Sequence, residues 1–443
     1  MKQKVLVIGA ARSGLASAEF LAKQGHQVVV TDMKRVVDVD DLETLGVSFI
    51  WEVQPDVAQL KPDFVVVSPG VPLTIPPIQY AQSHQIPVLG ELELAYRNCN
   101  ASFVAITGTN GKTTTTTLIG ELLQKTERRV FVGGNIGVPL ISYVNDLTAE
   151  DVVVAEVSSF QLETADTFSP HIALMINLTP DHLDRHGTME QYLACKAKIF
   201  AAQREDDYLI LNYDDEALRA LESHSKGKVL FFSQKHILQE GVCLEADQVI
   251  LKMNGMSTVI CTEDEIMIKG KHNLENAMGA ILAAYLSGVA PEQIREVLMT
   301  FSGVAHRLEP VRNCNGVQYI NDSKGTNPDS TIKAIEAYPN PIVLILGGYD
   351  KGSDFTELAL LVKQRVKKVV LLGAAKPIII EALQMVGYEA YIEVDTFEDA
   401  VITASQQAEE GDIVLLSPAC ASWDMFKSFE ERGALFKAIV QQL

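Results

Sequence analysis

Short apolar runs rich in valine, isoleucine and leucine recur along the chain, each followed by glycine or polar turn residues and then by helically spaced apolar positions. That alternation predicts mainly parallel sheets covered by helices, an α/β fold in three successive segments. In the first segment, strands are expected at residues 4–8, 27–32, 64–67 and 88–89, with a helix at 15–24 behind the turn Gly9-Ala10-Ala11-Arg12-Ser13-Gly14. In the second, runs at 103–106, 130–133, 151–156, 172–177 and 208–212 alternate with helical stretches. Four short runs at 229–232, 249–251, 259–260 and 266–268, separated by turn residues, predict a small antiparallel insertion; the helix after His272 and Asn273 then resumes the alternation. The third segment, with strands at 318–320, 342–346, 368–372 and 412–416, predicts another doubly wound sheet.

A chain of 443 residues is too long for one ordinary core and should divide into about three domains. The pattern places them at residues 1–97, a Rossmann-like domain; 98–302, a central mononucleotide-binding domain; and 303–443, a second Rossmann-like domain. Substrates of such an enzyme are expected to meet between domains.

Composition narrows the function. A net charge of −20 argues against a nucleic-acid partner, since such proteins bind by neutralising phosphates with a basic surface. Anionic nucleotide substrates would then have to be held by a few local cations and helix N-termini. No apolar run approaches the ~18 residues that suggest a membrane span. Met1-Lys2-Gln3-Lys4 leads straight into the first strand, so no signal peptide is expected and the location is read as cytoplasmic; a monomer is expected. Six cysteines lack C-x-x-C spacing and read as thiols without a zinc or disulfide role.

The candidate chemistry lies at strand ends. Gly108-Thr109-Asn110-Gly111-Lys112-Thr113 follows the run 103–106 and opens a helix-compatible stretch at 114–124. A strand delivering the chain into a glycine turn lets backbone amides converge on phosphate; Lys112 can reach the outer phosphates and Thr113 a Mg²⁺ ion. The full phosphate-loop pattern would want glycine where Ile106 stands, so this is a variant, and a glycine turn with a solvated lysine is the plainer alternative. Glu156 ends a very apolar strand and is suited to Mg²⁺, unless it serves the next helix, which Ser158 or Ser159 could cap instead. His182, among carboxylates after another apolar run, is a candidate metal ligand or an ordinary structural histidine. By spacing alone, Lys196 and Lys198 are snorkelling lysines beside Tyr192, Ile199 and Phe200. In the first segment Ala11 stands where a dinucleotide fold wants its middle glycine, which weakens a nicotinamide-dependent reading, while Asp32 sits where an acid can take a ribose hydroxyl. Four polar loops of the third segment, around Arg307, Asp322 to Asn327, Gly347 to Lys351 and Ser417 to Asp424, form an anion-binding rim.

Read together, ITGTNGKTT (106–114), EVSSFQLE (156–163), NLTPDHLDRH (177–186), KHNLENA (271–277), AHRLE (305–309), NDSKGTNP (321–328), GGYDKGSDF (347–355) and SPACASWDMFKSFEERG (417–433) strongly resemble the Mur ligase family, in order and over essentially the whole chain. Within it the pattern is most similar to members that add D-glutamate to UDP-N-acetylmuramoyl-L-alanine, which combine the short KVLVIG-type start with the SPACAS ending; the DNPR-type motif of diaminopimelate-adding members is not seen. A folylpolyglutamate synthetase-type ligase would share only the central domain. The resemblance implies an ATP-dependent, amide-forming ligase of cytoplasmic peptidoglycan precursor synthesis, serving cell-wall biogenesis and through it cell shape and division. ATP would phosphorylate the substrate carboxylate, and the amine of D-glutamate would attack the acyl phosphate.

Residue by residue, the resemblance implies that ATP is held by Gly108, Thr109, Asn110, Gly111, Lys112, Thr113 and Thr114, with Asn276, Arg307, Asp322 and Lys324. Two Mg²⁺ ions would be held by Thr113, Glu156, His182 and Lys196, the last as a carbamate; Lys112, Lys196, His182 and Glu156 are the implied catalytic set. UDP-substrate contacts would fall to Ser13, Gly14, Asp32, Lys34, Asn135, Ser158 and Ser159, and D-glutamate contacts to Thr326, Lys351, Ser422, Trp423 and Phe429. Lys34 stands where relatives carry arginine, and Ala10-Ala11-Arg12 is less glycine-rich than related turns.

Overall fold

The computed structural model describes residues 2–35 and 39–443. Its three sheets fall into two compact units, one comprising Met1–Glu265 and Glu275–Met299, the other Ile266–Leu274 and Thr300–Leu443.

The first unit holds two sheets. β1 (Lys4–Ile8), β2 (Gln27–Asp32), β3 (Ser48–Trp51), β4 (Phe64–Val67) and β5 (Val88–Gly90) are all parallel in the order β3-β2-β1-β4-β5. The chain reverses its winding between β1 and β4, and a crevice at such a switch point is where doubly wound sheets bind ligands. The helix Arg12–Lys23 starts three residues before its expected start, so Ser13 and Gly14 are helical and the preceding turn is only Gly9 to Ala11. Gly14 permits this: a Cβ there would lie 1.9 Å from the Gly9 carbonyl oxygen, so only glycine lets the helix start pack so close to the strand end.

The second sheet contains β6 (Ser102–Thr107), β7 (Val130–Gly134), β8 (Val152–Glu156), β9 (Ile172–Met175), β10 (Tyr208–Asn212), β11 (Lys228–Ser233), β12 (Gly241–Glu245), β13 (Gln248–Met253) and β14 (Met256–Thr262). Their order is β14-β13-β12-β11-β10-β9-β6-β8-β7. The expected antiparallel insertion is therefore not separate. β11 and β12 continue the parallel ladder of β10, and only β12-β13-β14 run antiparallel, as the far end of the same sheet. Residues 266–268 form no strand; Ile266 is instead a buried anchor in a bend. One core joins the two sheets through Leu92 and Leu94 of helix Glu91–Arg97, packed with Phe103 and Phe168.

The second unit is built on β15 (Glu309–Cys314), β16 (Val317–Asn321), β17 (Ile342–Gly347), β18 (Val366–Leu372), β19 (Tyr391–Glu393) and β20 (Ile413–Leu416), in the order β15-β16-β20-β17-β18-β19. Only β15 is antiparallel, and its Pro310 is tolerated because it lies on an edge strand. Helices bury both faces of this sheet in two apolar clusters. No described helix is long and apolar enough to cross a membrane.

Candidate active site

β6 ends between β8 and β9, so its loop emerges at a switch point of the second sheet. The following helix, Lys112–Leu123, begins at Lys112 itself, with Gly111 in the left-handed region at φ 83°. Glycine is required there twice over, since a Cβ would also lie 2.1 Å from Asn276 Oδ1. Asn276 is thus brought against the phosphate-type loop, within the same unit. Thr113 and Thr114 are buried in the first helical turn.

The loop is braced from the segment after β9. Thr109 N and Asn110 N donate to Asn177 Oδ1 at 3.1 and 2.9 Å, and Asn177 Nδ2 returns a bond to Asn110 O at 3.2 Å. Two amides expected to face phosphate are therefore committed to a side chain, because Asn177 offers both an acceptor and a donor to an irregular loop. Thr109 Oγ1 also donates to Thr179 O at 3.0 Å. The sequence reading missed Asn177; its position directly after a buried strand was the available signal.

Lys112 Nζ folds back onto Gly108 O and Thr109 O at 2.9 and 2.7 Å. Lys196, on helix Met189–Ala197, is 1% exposed and donates to Gly108 O at 2.8 Å. It is not a snorkelling lysine. Burial, reinforced by the charge of Lys112, holds its proton affinity well below the usual lysine range. The ring of Tyr192, one turn earlier, lies 4.6 Å from Nζ. Lys198 by contrast caps the Glu163 carbonyl at 2.6 Å.

Glu156 ends β8 beside this loop, 2% exposed. Its Oε1 accepts from Asn135 Nδ2 at 2.8 Å, while Oε2 is buried with no hydrogen-bond partner among the described residues. Helix capping is done instead by Ser158, in a reciprocal capping box with Gln161. Ser159 Oγ meets the buried His186 Nε2 at 3.0 Å. His182 sits in the left-handed region at φ 53°, its ring against Phe160 and its Nε2 3.4 Å from Asp181 Oδ2. Left-handed non-glycine backbone is strained and collects at functional sites. Among the described residues no three His, Cys, Asp or Glu side chains form a ready-made metal cluster. The unsatisfied Glu156 oxygen nevertheless fits a hard cation completed by hydroxyl and phosphate oxygens.

In the first sheet, a cavity of about 220 Å³ opens at the switch point, lined among others by Gly9, Asp32, Met33, Val53, Gly70 and Val71. Asp32 braces its rim, accepting from Ala10 N at 2.7 Å and Lys34 N at 2.9 Å. Lys34 itself is exposed. Arg185, paired with Glu163 at 2.5 Å, donates to Val71 O at 3.0 Å and so ties this rim to the NLTPDHLDRH segment.

The second unit gathers its own set. Asp322 is fully buried, accepting from Ser417 Oγ at 2.7 Å and Leu308 N at 3.2 Å. Burial pushes its carboxyl up to about 6 against the opposing charge of Arg307. Lys324 Nζ lies 5.4 Å over the Phe429 ring, joining a residue expected at nucleotide to one expected at D-glutamate. Thr326 is half-buried, Lys351 exposed and Ser422 buried. Tyr349 and Ala421 exchange two backbone bonds, at 2.8 and 3.0 Å, which places Trp423, 64% exposed, with its ring 5.8 Å from that of Tyr349. Arg432, unanticipated from sequence, is 1% exposed and fastens two loops: Nε donates to Ser323 Oγ at 3.0 Å, Nη2 to Ser323 O at 2.8 Å, and Nη1 to Cys420 O at 3.2 Å. Arginine inside the SFEERG helix reads as a surface charge, so nothing marked it.

These features match known proteins along the whole chain. Residues 3–90 match the Mur ligase MurD-like N-terminal domain, 106–284 the Mur ligase middle domain and 306–420 the Mur ligase glutamate ligase domain. The chain belongs to the Mur ligase family. It is 52% identical over 446 residues to a UDP-N-acetylmuramoylalanine–D-glutamate ligase of Pelotomaculum thermopropionicum, covering all of this chain and 98% of the relative. A protein of the same description from Clostridioides difficile is 45% identical, over all of this chain and 99% of its own. The fold is shared with UDP-N-acetylmuramate–alanine ligase MurC of Thermotoga maritima, at a TM-score of 0.61 and 19% identity over 99% of both chains. MurF ligase of the same organism gives a TM-score of 0.61 at 17% identity, over 94% of this chain and 95% of that one.

Proposed function

We propose that the protein joins D-glutamate to UDP-N-acetylmuramoyl-L-alanine at the expense of ATP, in cytoplasmic synthesis of peptidoglycan precursors. One observation carries the reading: end-to-end identity with D-glutamate ligases, in a chain whose phosphate-type loop holds two lysines on one carbonyl beside an unpartnered buried carboxylate oxygen. Three domains, at 1–97, 98–302 and 303–443, remain part of this reading, supported by three separate sheets.

A carboxylate is a poor electrophile at neutral pH, so the alanyl carboxylate oxygen attacks the γ-phosphorus of ATP and expels ADP. The D-glutamate amine then attacks the acyl carbon, loses a proton and expels phosphate, leaving an amide. The protein's share is positioning and charge neutralisation. With Thr109 N and Asn110 N engaged by Asn177, phosphate contact falls to Lys112 and the helix start at 111–114. Asn276, against Gly111, fits the adenine side, and the resemblance alone is the support for Arg307, Asp322 and Lys324 as further nucleotide contacts.

Glu156, Thr113 and His182 would hold Mg²⁺, which when bound neutralises charge on the transferring phosphoryl group. The buried, weakly basic amine of Lys196 suits carbamylation, which would turn it into an anion able to support a second ion. The cavity beside Asp32 has space for a uracil ring, with Ser13, Gly14 and Lys34 toward the diphosphate and Asn135, Ser158 and Ser159 toward the muramoyl end. Lys351, Trp423, Ser422, Thr326 and Phe429 would receive D-glutamate, the ammonium of Lys351 matching its side-chain carboxylate.

The test is phosphate release with Mg²⁺-ATP and UDP-N-acetylmuramoyl-L-alanine, comparing D-glutamate with L-glutamate, D-alanine, L-lysine and no amino acid. Release with D-glutamate alone is expected. Release with another amino acid moves the chain to a different specificity, and none with any of them overturns the reading.

A further inference from the structure

Glu91 is the first residue of helix Glu91–Arg97, directly after β5, and is 1% exposed. Its Oε1 accepts from Ile141 N at 2.8 Å, and Oε2 has no partner among the described residues. Burial pushes the carboxyl up to about 7. Its neighbour Glu93 is a conventional anchor, accepting from Asp166 N, Thr167 N, Thr167 Oγ1 and Arg97. The seam between the two sheets is therefore already held without Glu91. A fully buried acid with no cation beside it contributes little stability. What Glu91 supplies that an apolar side chain could not is an acceptor for the amide of Ile141.

That amide ends the segment 134–141, which returns from β7. At its other end the segment is fastened to Glu156: Asn135 N donates to Glu156 O at 2.9 Å and Asn135 Nδ2 to Oε1 at 2.8 Å. Midway, Arg12 of the first helix donates to Gly137 O at 3.1 Å. The segment thus spans from the helix start beside the Asp32 cavity to the Glu156 carboxylate, and Glu91 is its buried post.

We propose that Glu91 is a positioning residue for the UDP-substrate, acting through the 134–141 segment to hold Asn135 against Glu156. This rests on the function proposed above. The test uses the full chain, with hydrogen exchange over residues 134–141 and calorimetric binding of UDP-N-acetylmuramoyl-L-alanine and of Mg²⁺-ADP. Glu91→Ala should speed exchange in that segment and weaken the UDP-substrate by about tenfold, leaving Mg²⁺-ADP within about twofold. Glu91→Gln keeps an acceptor for Ile141 N and should restore binding to within about threefold of the parent. Because the effect runs through Asn135, E91A/N135A should bind no more weakly than N135A alone. Should Glu91→Ala not fold, Glu91→Asp, which withdraws the carboxylate by one methylene, takes its place. Unchanged exchange in 134–141, additive losses in the double variant, or equal loss of Mg²⁺-ADP would each overturn the proposal. If the parent protein itself failed to bind the UDP-substrate, the functional reading would fall, while the exchange measurement would still decide whether Glu91 anchors the segment.

Discussion

Lys112 and Lys196, on two different helices, share one acceptor: the Gly108 carbonyl oxygen takes a bond from each, at 2.9 and 2.8 Å. Their ammonium groups are then no more than about 6 Å apart, where like charges repel appreciably outside bulk water. Burial first, and this repulsion second, disfavour the protonated form of Lys196.

That burial bears on the carbamylation proposed for Lys196. The unprotonated amine is the nucleophile toward carbon dioxide, and with its proton affinity lowered it is populated below the usual lysine range. Carbamylation should be detectable by ¹³C-bicarbonate labelling at pH 8, weaken toward pH 6, and disappear in carbon dioxide-free buffer together with activity. Lys196→Ala should lose at least about a hundredfold in rate and recover part of it with a small carboxylate such as acetate. No recovery across several such acids would leave the carbamate unsupported.

Lys112→Ala should abolish phosphate release, by about a thousandfold or more, because the loop loses its cation toward the outer phosphates. Binding of UDP-N-acetylmuramoyl-L-alanine, measured by calorimetry, should stay within about twofold, since Lys112 Nζ is bonded within its own loop, to Gly108 O and Thr109 O. Equal loss of both would sink this division of labour.

Glu156 predicts a metal phenotype. Its unpartnered Oε2 is the acceptor a cation would use, and Glu156→Gln puts an uncharged amide there. The Mg²⁺ concentration giving half-maximal rate should rise by about tenfold or more, with ATP saturating. An unchanged Mg²⁺ titration would detach Glu156 from the metal.

Asp322 predicts a pH effect on stability. Its folded carboxyl titrates at about 6 against 3.8 for the ordinary group, so the folded state binds the extra proton. Stability is therefore greatest below the lower value and falls as pH rises through that window, a loss on the order of 3 kcal/mol complete above it. Asp322→Asn should therefore be more stable than the parent at pH 7.5 in urea unfolding, with the advantage shrinking toward pH 4, even as it loses activity. An unaltered difference between the two pH values would refute the assignment.

Much of this was legible in the chain. The strands leading to Gly108, Glu156, Gly347 and Ser417 announce themselves as continuous apolar runs, since parallel strands are buried on both faces. β3, β15 and β19 lie at sheet edges, where little apolar signal is needed, and passed unnoticed; β15 even carries Pro310, and β12, inside the second sheet, was missed as well. Residues 266–268 offered the opposite error, an apolar triplet that forms no strand and buries Ile266 while Met267 stays exposed. Periodicity described Lys196 as a surface lysine, because the cost of burying an amine cannot be seen until the Gly108 carbonyl and the Tyr192 ring are placed around it. Arg432, Asn177 and Glu91 were hidden for a related reason: each acts on backbone groups of a distant segment, and sequence spacing carries no mark of that.

The bridge between Tyr349 and Ala421, and the guanidinium of Arg432 that grips both Ser323 and Cys420, also bear on how the amino-acid choice proposed for these loops could be re-engineered. Three loops from three strand ends behave as one interlocked part, so grafting a single loop from a ligase of other specificity would arrive without its mates. A transplant should move all three together with the arginine-bearing helix, as a cassette.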